Sequence, residues 1–233
     1  MKQVLNRIFS NKINSDGYFY IVVSVVLAIL FFVFSWTLGM LGIVIAGFMF
    51  FFFRDPIRVV PIIDFGLLSP ADGLVLSVGK EKVANNEGDV SEMNFIRVFL
   101  RVYDVHVNRL PCDGKVLKTE HCTGRFYFAD DDDQTIKKNE KQETFLDTKY
   151  GEVILVQQVG VVARRIVCYV KEDQELMSGD RLGIMKFGSS FTLYFSDRLM
   201  LNVQVGQTVV AGETIIAIDP SKSNINDIQY KKL

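Results

Sequence analysis

The sequence predicts a mainly β protein with minor α content, in which a sandwich of short strands follows an N-terminal transmembrane helical hairpin. Three observations carry this reading. An uncharged apolar run extends from Tyr18 to Phe53, the chain beyond Arg54 alternates apolar and polar residues in short segments, and Gly, Asp and Pro separate those segments. With 233 residues, 49% of them apolar, the chain has material for one soluble domain and a membrane element. Its 26 basic and 27 acidic residues nearly balance, and no basic stripe interleaved with aromatics occurs, so no nucleic-acid partner is expected. Cys112, Cys122 and Cys168 are odd in number and form no Cys-x-x-Cys pair, which speaks against a disulfide framework or a zinc site. They read as small buried hydrophobes in a reducing compartment.

Residues 1–17 form a basic N-terminal segment. The run over 18–53 exceeds the roughly 20 residues that one helix needs to cross a bilayer core. Ser35, Trp36, Thr37 and Gly39 interrupt it near its middle, which predicts two helices, Tyr18 to Phe34 and Leu38 to Phe53, joined by a tight turn. Lys2, Arg7 and Lys12 precede the run, and Arg54 and Arg58 follow it. The positive-inside rule then places both ends, and the soluble domain over 54–233, on the cytoplasmic side of the cell membrane. A single tilted span is the competing arrangement and puts that domain outside. The run is too long for a cleaved signal peptide, and no small-residue cleavage site follows it.

Strands are predicted over 74–78, 96–102, 153–156, 161–170, 191–195 and 214–218, where β-branched and aromatic residues dominate. Pro70-Ala71-Asp72-Gly73-Leu74-Val75 and Pro111-Cys112-Asp113-Gly114-Lys115-Val116 share a Pro-x-Asp-Gly-x-Val frame, in which Asp-Gly turns the chain into a strand. Internal similarity within the sandwich is therefore expected. The tail from Val203 to Thr214 has paired-glycine turns like those of barrel-sandwich domains that carry biotin or lipoate, but no lysine sits at a hairpin tip. The fold is thus barrel-sandwich-like without a carrier role. Asp130 to Thr148 is dense in charge, and it reads as a solvated loop, either a plain surface excursion or a lid over a site.

Phe187-Gly188-Ser189-Ser190 stands apart chemically. A glycine carbonyl is the least hindered target for the hydroxyl of the next residue, so Ser189 is placed to attack its own peptide bond. Gly-Ser-Ser is equally the composition of an ordinary turn. Only two histidines offer a base that titrates near neutrality: His106, in an apolar-alternating strand, and His121, in a turn-like stretch.

Four blocks decide between these readings. Ser69-Pro70-Ala71-Asp72-Gly73, Asp104-Val105-His106-Val107-Asn108-Arg109-Leu110-Pro111, Val162-Ala163-Arg164-Arg165-Ile166-Val167 and Gly183-Ile184-Met185-Lys186-Phe187-Gly188-Ser189-Ser190, in this order behind a membrane hairpin, resemble the phosphatidylserine decarboxylase family in its short pyruvoyl form. The resemblance implies self-cleavage between Gly188 and Ser189: the Ser189 hydroxyl attacks the Gly188 carbonyl, the ester β-eliminates to dehydroalanine, and hydrolysis leaves a pyruvoyl group and ammonia. The products are fragments Met1 to Gly188 and Ser189 to Leu233, associated as a heterodimer, with any higher oligomer left open. The pyruvoyl group derived from Ser189 is the cofactor, with no metal and no pyridoxal phosphate. Through a Schiff base it decarboxylates phosphatidylserine of the membrane to phosphatidylethanolamine.

By the same resemblance His106 is the base and Asp72 orients it, a relay of the general triad type, while Asp113 is left to turn chemistry and His121 to a structural or substrate-adjacent place. Two departures qualify the match. Longer relatives often carry a second histidine where Arg109 stands, so His106 serves both stages or Arg109 contributes electrostatically. Ser190 replaces the usual Thr or Arg beside the cleavage residue. Arg164, Arg165 and Arg109 are candidates to hold the substrate's phosphate or carboxylate. The alternative from another class is a membrane-anchored barrel-sandwich adaptor without catalysis, which remains a single full-length chain.

Overall fold

A single residue, Ser35, separates helix α1 (Tyr18–Phe34) from helix α2 (Trp36–Phe52). Its backbone is extended, with φ −162° and ψ 138°, which ends the first helix, and its hydroxyl lies 2.8 Å from that of Thr37. The second helix thus starts two residues before the expected Leu38. The structure, a computed structural model, describes residues 12–127, 138–160, 165–186, 189–222 and 228–233. It divides into two compact units, one ending at Ile57 and the other spanning Arg58–Leu233.

In the first unit, strand β1 (Lys12–Ile13) pairs antiparallel with β2 (Arg54–Asp55), and the Asn14 N–H donates to the Phe53 carbonyl at 2.9 Å, which closes the base of the hairpin. The helices meet through Ser24 and Ala28 on one side and Gly39, Gly42 and Ala46 on the other, all buried. A Cβ on Gly42 would lie 2.6 Å from the Ala28 Cα, so only glycine allows this approach. Large apolar side chains cover the outside: Phe19, Val33, Phe34 and Trp36 are each more than 70% exposed. This inverts the soluble pattern, because apolar atoms face outward and small residues inward. The apolar helix over Ser15–Phe34, 20 residues long, is long enough to cross a membrane. The 17 residues of α2 extend about 25 Å.

The second unit is built of antiparallel strands: β3 (Val59–Ile62), β4 (Gly66–Leu68), β5 (Gly73–Ala84), β6 (Val90–Leu100), β7 (Val107–Arg109), β8 (Gly114–Cys122), β9 (Lys141–Thr148), β10 (Gly151–Val159), β11 (Arg165–Cys168), β12 (Glu175–Leu176), β13 (Arg181–Lys186), β14 (Ser189–Phe195), β15 (Met200–Leu201), β16 (Thr208–Val209), β17 (Ile215–Ile218) and β18 (Gln229–Lys232). Eight form one sheet in the order β12-β8-β9-β10-β14-β6-β5-β16, and two three-stranded sheets, β11-β13-β7 and β15-β17-β4, complete the sandwich. Alternation directs Ile96, Val98 and Leu100 of β6, Leu155 of β10 and Phe191, Leu193 and Phe195 of β14 into the main core. The opposite face of the same strands buries Phe95, Phe145, Ile154, Val156 and Tyr194 in a second cluster. Two buried faces explain the near-continuous apolar runs of β10 and β14. Each such side chain contributes about 1.5–3 kcal/mol of transfer free energy.

All six predicted strands lie on observed ones where the chain is described, though residues 161–164 fall outside it and most strands extend further than expected. The charged stretch is corrected. Lys141 to Thr148 is not loop but strand β9, paired on both edges with β8 and β10, and it buries Gln142, Thr144, Phe145 and Leu146. Its polar residues satisfy the alternation of a strand whose backbone is paired on both sides, which composition alone does not reveal. Residues 128–137 lie outside the described residues.

The two Pro-x-Asp-Gly-x-Val frames prove to be equivalent parts of one repeat. The Leu68 N–H donates to the Pro111 carbonyl at 2.8 Å, and the Arg109 N–H donates to the Pro70 carbonyl at 2.9 Å, so the frames bond reciprocally. Each frame also takes a partner loop. Val75 bonds in both directions with Gly206 and Gln207, and Val116 does the same with Asp173 and Gln174. Asp72 accepts from the Ala211 N–H and Asp113 from the Ser178 N–H, both at 2.7 Å. The next residues, Gly212 and Gly179, have φ of +71° and +85°, a region that favours glycine, and their N–H groups close onto Ser69 and Leu110. The internal similarity expected from sequence is therefore a quasi-two-fold relation of the backbone.

Candidate active site

Ser189 opens β14, a central strand of the eight-stranded sheet. It lies in register with Val159 of β10 and Leu100 of β6, and its side chain is fully buried. The Oγ atoms of Ser189 and Ser190 have no hydrogen-bond partner among the described residues. A buried hydroxyl without a partner forfeits about 1–3 kcal/mol, which marks a site whose partner arrives by other means. Gly188 lies outside the described residues.

His106 is brought to this end of the sheet by the turn after β6. The Asp104 N–H donates to the Arg101 carbonyl at 2.8 Å, and the Asp104 carboxylate receives both the backbone N–H and the guanidinium of Arg101. The Met185 N–H donates to the His106 carbonyl at 3.1 Å, which sets His106 against β13, the strand that runs on towards Ser189. The His106 ring is fully buried, and its Nδ1 lies 3.0 Å from the Asp104 carbonyl oxygen. A carbonyl only accepts, so Nδ1 carries a hydrogen, and the neutral form of the ring has its lone pair on Nε2.

Asp72 precedes β5. Leu74, Phe99, Ser190 and Gln158 lie in one row across β5, β6, β14 and β10, which puts Asp72 at the same end of the sheet as Ser189. Two strand spacings, about 10 Å, separate their strands. Both carboxylate oxygens of Asp72 receive Nη2 of Arg58, at 2.9 and 2.8 Å, and the Ala211 N–H donates at 2.7 Å. Burial lifts the Asp72 carboxyl above the ordinary range, and the Arg58 guanidinium opposes that shift. Arg58 is itself buried, so its charge is used inside this unit.

The remaining sequence candidates are placed as follows. Arg109 is 2% exposed, and its Nη1 donates to the Gly179 carbonyl at 2.8 Å. Arg165 is exposed on β11, an edge strand, while Arg164 lies outside the described residues. Asp113 is exposed, its Oδ1 bonded to the Ser178 N–H. His121 lies at the surface, 3.5 Å from the Glu140 carboxylate. The Cys112 thiol is pushed up to about 12 by burial, consistent with an inert packing role.

Residues that sequence reasoning passed over complete the site. Asn108 and Gln157 are both fully buried, and the Gln157 Nε2 donates to the Asn108 Oδ1 at 2.9 Å. The Arg97 Nε donates to the Thr192 hydroxyl, which donates to the Gln158 Oε1, both at 3.1 Å. The signal was present: Gln157-Gln158 interrupts an otherwise apolar strand, and Asn108 is spaced two residues from His106.

Comparison with known proteins follows the same lines. The sequence profile of the family described as phosphatidylserine decarboxylase matches residues 45–217. A phosphatidylserine decarboxylase proenzyme of Ehrlichia chaffeensis is 40% identical over 211 residues, covering 90% of this chain and 92% of the relative. That of Rickettsia akari is 37% identical over 223 residues, covering 94% and 95%. That of Neorickettsia sennetsu is 43% identical over 183 residues, covering 78% and 81%. With a profile over most of its length and relatives aligned nearly end to end, this chain belongs to the phosphatidylserine decarboxylase family.

Proposed function

We propose that this chain is a self-processing proenzyme that converts Ser189 to a pyruvoyl group and then decarboxylates phosphatidylserine to phosphatidylethanolamine. The observation that carries the reading is the buried Ser189 hydroxyl, without a described partner, at the end of the sheet where His106 and Asp72 also lie. In processing, His106 Nε2 takes the Ser189 hydroxyl proton while Oγ bonds to the Gly188 carbonyl carbon. The Gly188–Ser189 C–N bond then breaks, the Ser189 nitrogen takes up the proton, and an ester replaces the amide. Loss of the Ser189 Cα proton expels the Gly188 carboxylate, and water replaces the resulting enamine nitrogen as ammonia. The Asp104 carbonyl, and not Asp72 as the sequence suggests, holds the ring; Asp72 is bonded to Arg58 and the Ala211 N–H, so its part is an electrostatic one at a distance.

A neutral ketone fits this place, which is buried and shares its face of the sheet with the neutral Gln157. When formed, it supplies Schiff-base capture of a primary amine and a sink for the electrons released with carbon dioxide. Cleavage need not separate the fragments. Strands β14, β16, β17 and β18, all after the cut, pair with β6 and β10, β5, β4 and β3, all before it. The heterodimer is thus held by the sheets themselves.

For the substrate, Arg164 and Arg165 are the candidates to meet the phosphate or carboxylate, with Arg109 confined to an indirect electrostatic part. The apolar exterior of α1 and α2 supports a membrane hairpin, and Lys12 and Arg54 at its base support a cytoplasmic catalytic domain beside its lipid substrate. Intact-mass analysis of the purified protein tests the processing: the smaller fragment is expected lighter by one ammonia than a serine-ended peptide. A single full-length species supports the adaptor instead. An assay on phosphatidylserine vesicles beside free serine tests the substrate, and equal turnover of free serine overturns the lipid assignment.

A further inference from the structure

Asn108 and Gln157 are the least expected residues of the interior. Either amide buried alone is costly, yet here two meet across the sandwich, Asn108 from β7 and Gln157 from β10, each with no exposed surface. Their mutual bond uses one donor and one acceptor. The Asn108 Nδ2 and the Gln157 Oε1 have no partner among the described residues. Reversing both amides leaves the same inventory, one NH2 group and one carbonyl oxygen unspent. At about 1–3 kcal/mol per unsatisfied group, such a pair is a poor way to fill a core.

The register says what the pair faces. Ser189 lies opposite Val159, and Gln157 opposite Phe191, so Ser189 and Gln157 project on the same face of the sheet, on a diagonal of neighbouring strands. Diagonal Cβ atoms are about 7–8 Å apart, within reach of a glutamine side chain. Asn108 lies at the middle of β7, two residues after His106, and its bond to Gln157 turns its side of the strand towards the sheet. The Ser189 Oγ is another buried polar atom of this face without a described partner.

We propose that Asn108 and Gln157 are a positioning pair for the side chain of residue 189 in both of its chemical states, an inference that rests on the processing reading above. The unspent NH2 group can donate to the Ser189 hydroxyl oxygen, which leaves its single hydrogen for His106 Nε2. A ketone has no hydrogen to give and needs a donor, and the unspent NH2 group provides that. Because both amides are neutral, the pair serves either state without a change of protonation and without placing a full charge beside a carbonyl that must accept electrons.

The test uses the full chain synthesised in vitro in detergent, with precursor and fragments followed over time by denaturing electrophoresis. The double variant Asn108→Leu/Gln157→Met keeps the shape of both side chains and removes both amides, so its melting temperature is expected to equal or exceed that of the unaltered chain. Its fragments are nevertheless expected to appear at least about tenfold more slowly. In the fraction that does process, phenylhydrazine is expected to form its coloured hydrazone with the ketone more slowly, a readout independent of turnover. Asn108→Ser, which restores a donor and an acceptor on a shorter arm, is expected to recover part of the rate lost in Asn108→Leu. A folded double variant that processes and reacts as fast as the unaltered chain overturns the proposal. If the double variant fails to fold, equal rates for Asn108→Ser and Asn108→Leu overturn it as well. Failure of the unaltered chain to cleave at all overturns the processing reading instead.

Discussion

Phe65, Leu67 and Leu68 in one copy of the repeat occupy the places of His106, Asn108 and Arg109 in the other. The backbone bonds are matched: the Asp219 N–H donates to the Phe65 carbonyl as the Met185 N–H donates to that of His106. All six side chains are buried. The first copy shows that this backbone folds with an apolar strand, so the polar strand of the second is not required by the architecture. Burying three polar side chains in place of three apolar ones forgoes transfer free energy and demands partners for every polar atom. The aspartates invert this asymmetry. Asp72 of the apolar copy is paired with Arg58 and 14% exposed, whereas Asp113 of the polar copy faces solvent. On the proposed function, each copy gives one element to the site at the end of β14: the second its histidine strand, the first its aspartate.

The sharpest way to break this comparison is to install the first copy's residue in the second. His106→Phe is expected to leave the melting temperature unchanged or raised and to slow appearance of the two fragments by on the order of 10²–10⁴-fold, the usual worth of a positioned base. Electrophoresis and a thermal melt on the same preparation report both. Cleavage at the unaltered rate means that His106 is not the base.

Next in size is the Arg58 and Asp72 pair. Arg58→Leu leaves a buried carboxylate without its cation, for which a loss of about 3–5 kcal/mol is expected at neutral pH. The Asp72 carboxyl already lies above its ordinary value because burial disfavours the charge. A carboxyl raised in the folded state binds its proton more readily there than in the unfolded chain. Its ionised form therefore weakens the fold above the folded value, and that penalty fades as pH falls through it. Without Arg58 the value rises further, so urea midpoints are expected to show the deficit shrinking at mildly acidic pH. A deficit that does not change with pH contradicts this account of Asp72.

A smaller contrast separates the two aspartates. Asp72→Asn is expected to slow self-cleavage about tenfold or more, and Asp113→Asn by less than about twofold, since only the first lies at the Ser189 end of the sheet. The reverse order refutes the assignment of the acid. The smallest effect belongs to the partner loops, where Asp173, with φ +64°, stands in the place of Gly206, with φ +86°. Asp173→Gly relieves the backbone but gives up the contact with Lys115 at 2.7 Å. The melting temperature is expected to move by less than about 3 °C, and a larger drop shows that the two loops are not equivalent.

The amino-acid sequence by itself determined the hairpin, the six strands, the repeat frames and the motif blocks that placed Asp72, His106 and Ser189. These are local properties: an uncharged run between Tyr18 and Phe53 declares itself through composition, and a Pro-x-Asp-Gly-x-Val frame sets its own turn. Tertiary structure alone decided that Lys141–Thr148 is a strand, because pairing on both edges with β8 and β10 accommodates a sequence too polar to announce itself. It also decided that Arg58 serves Asp72, that Arg109 turns towards the Gly179 loop and that Asn108 meets Gln157. Those outcomes depend on register between strands distant in the chain. A shift of one residue would turn each side chain to the opposite face, and nothing in its immediate sequence records which face the fold selects.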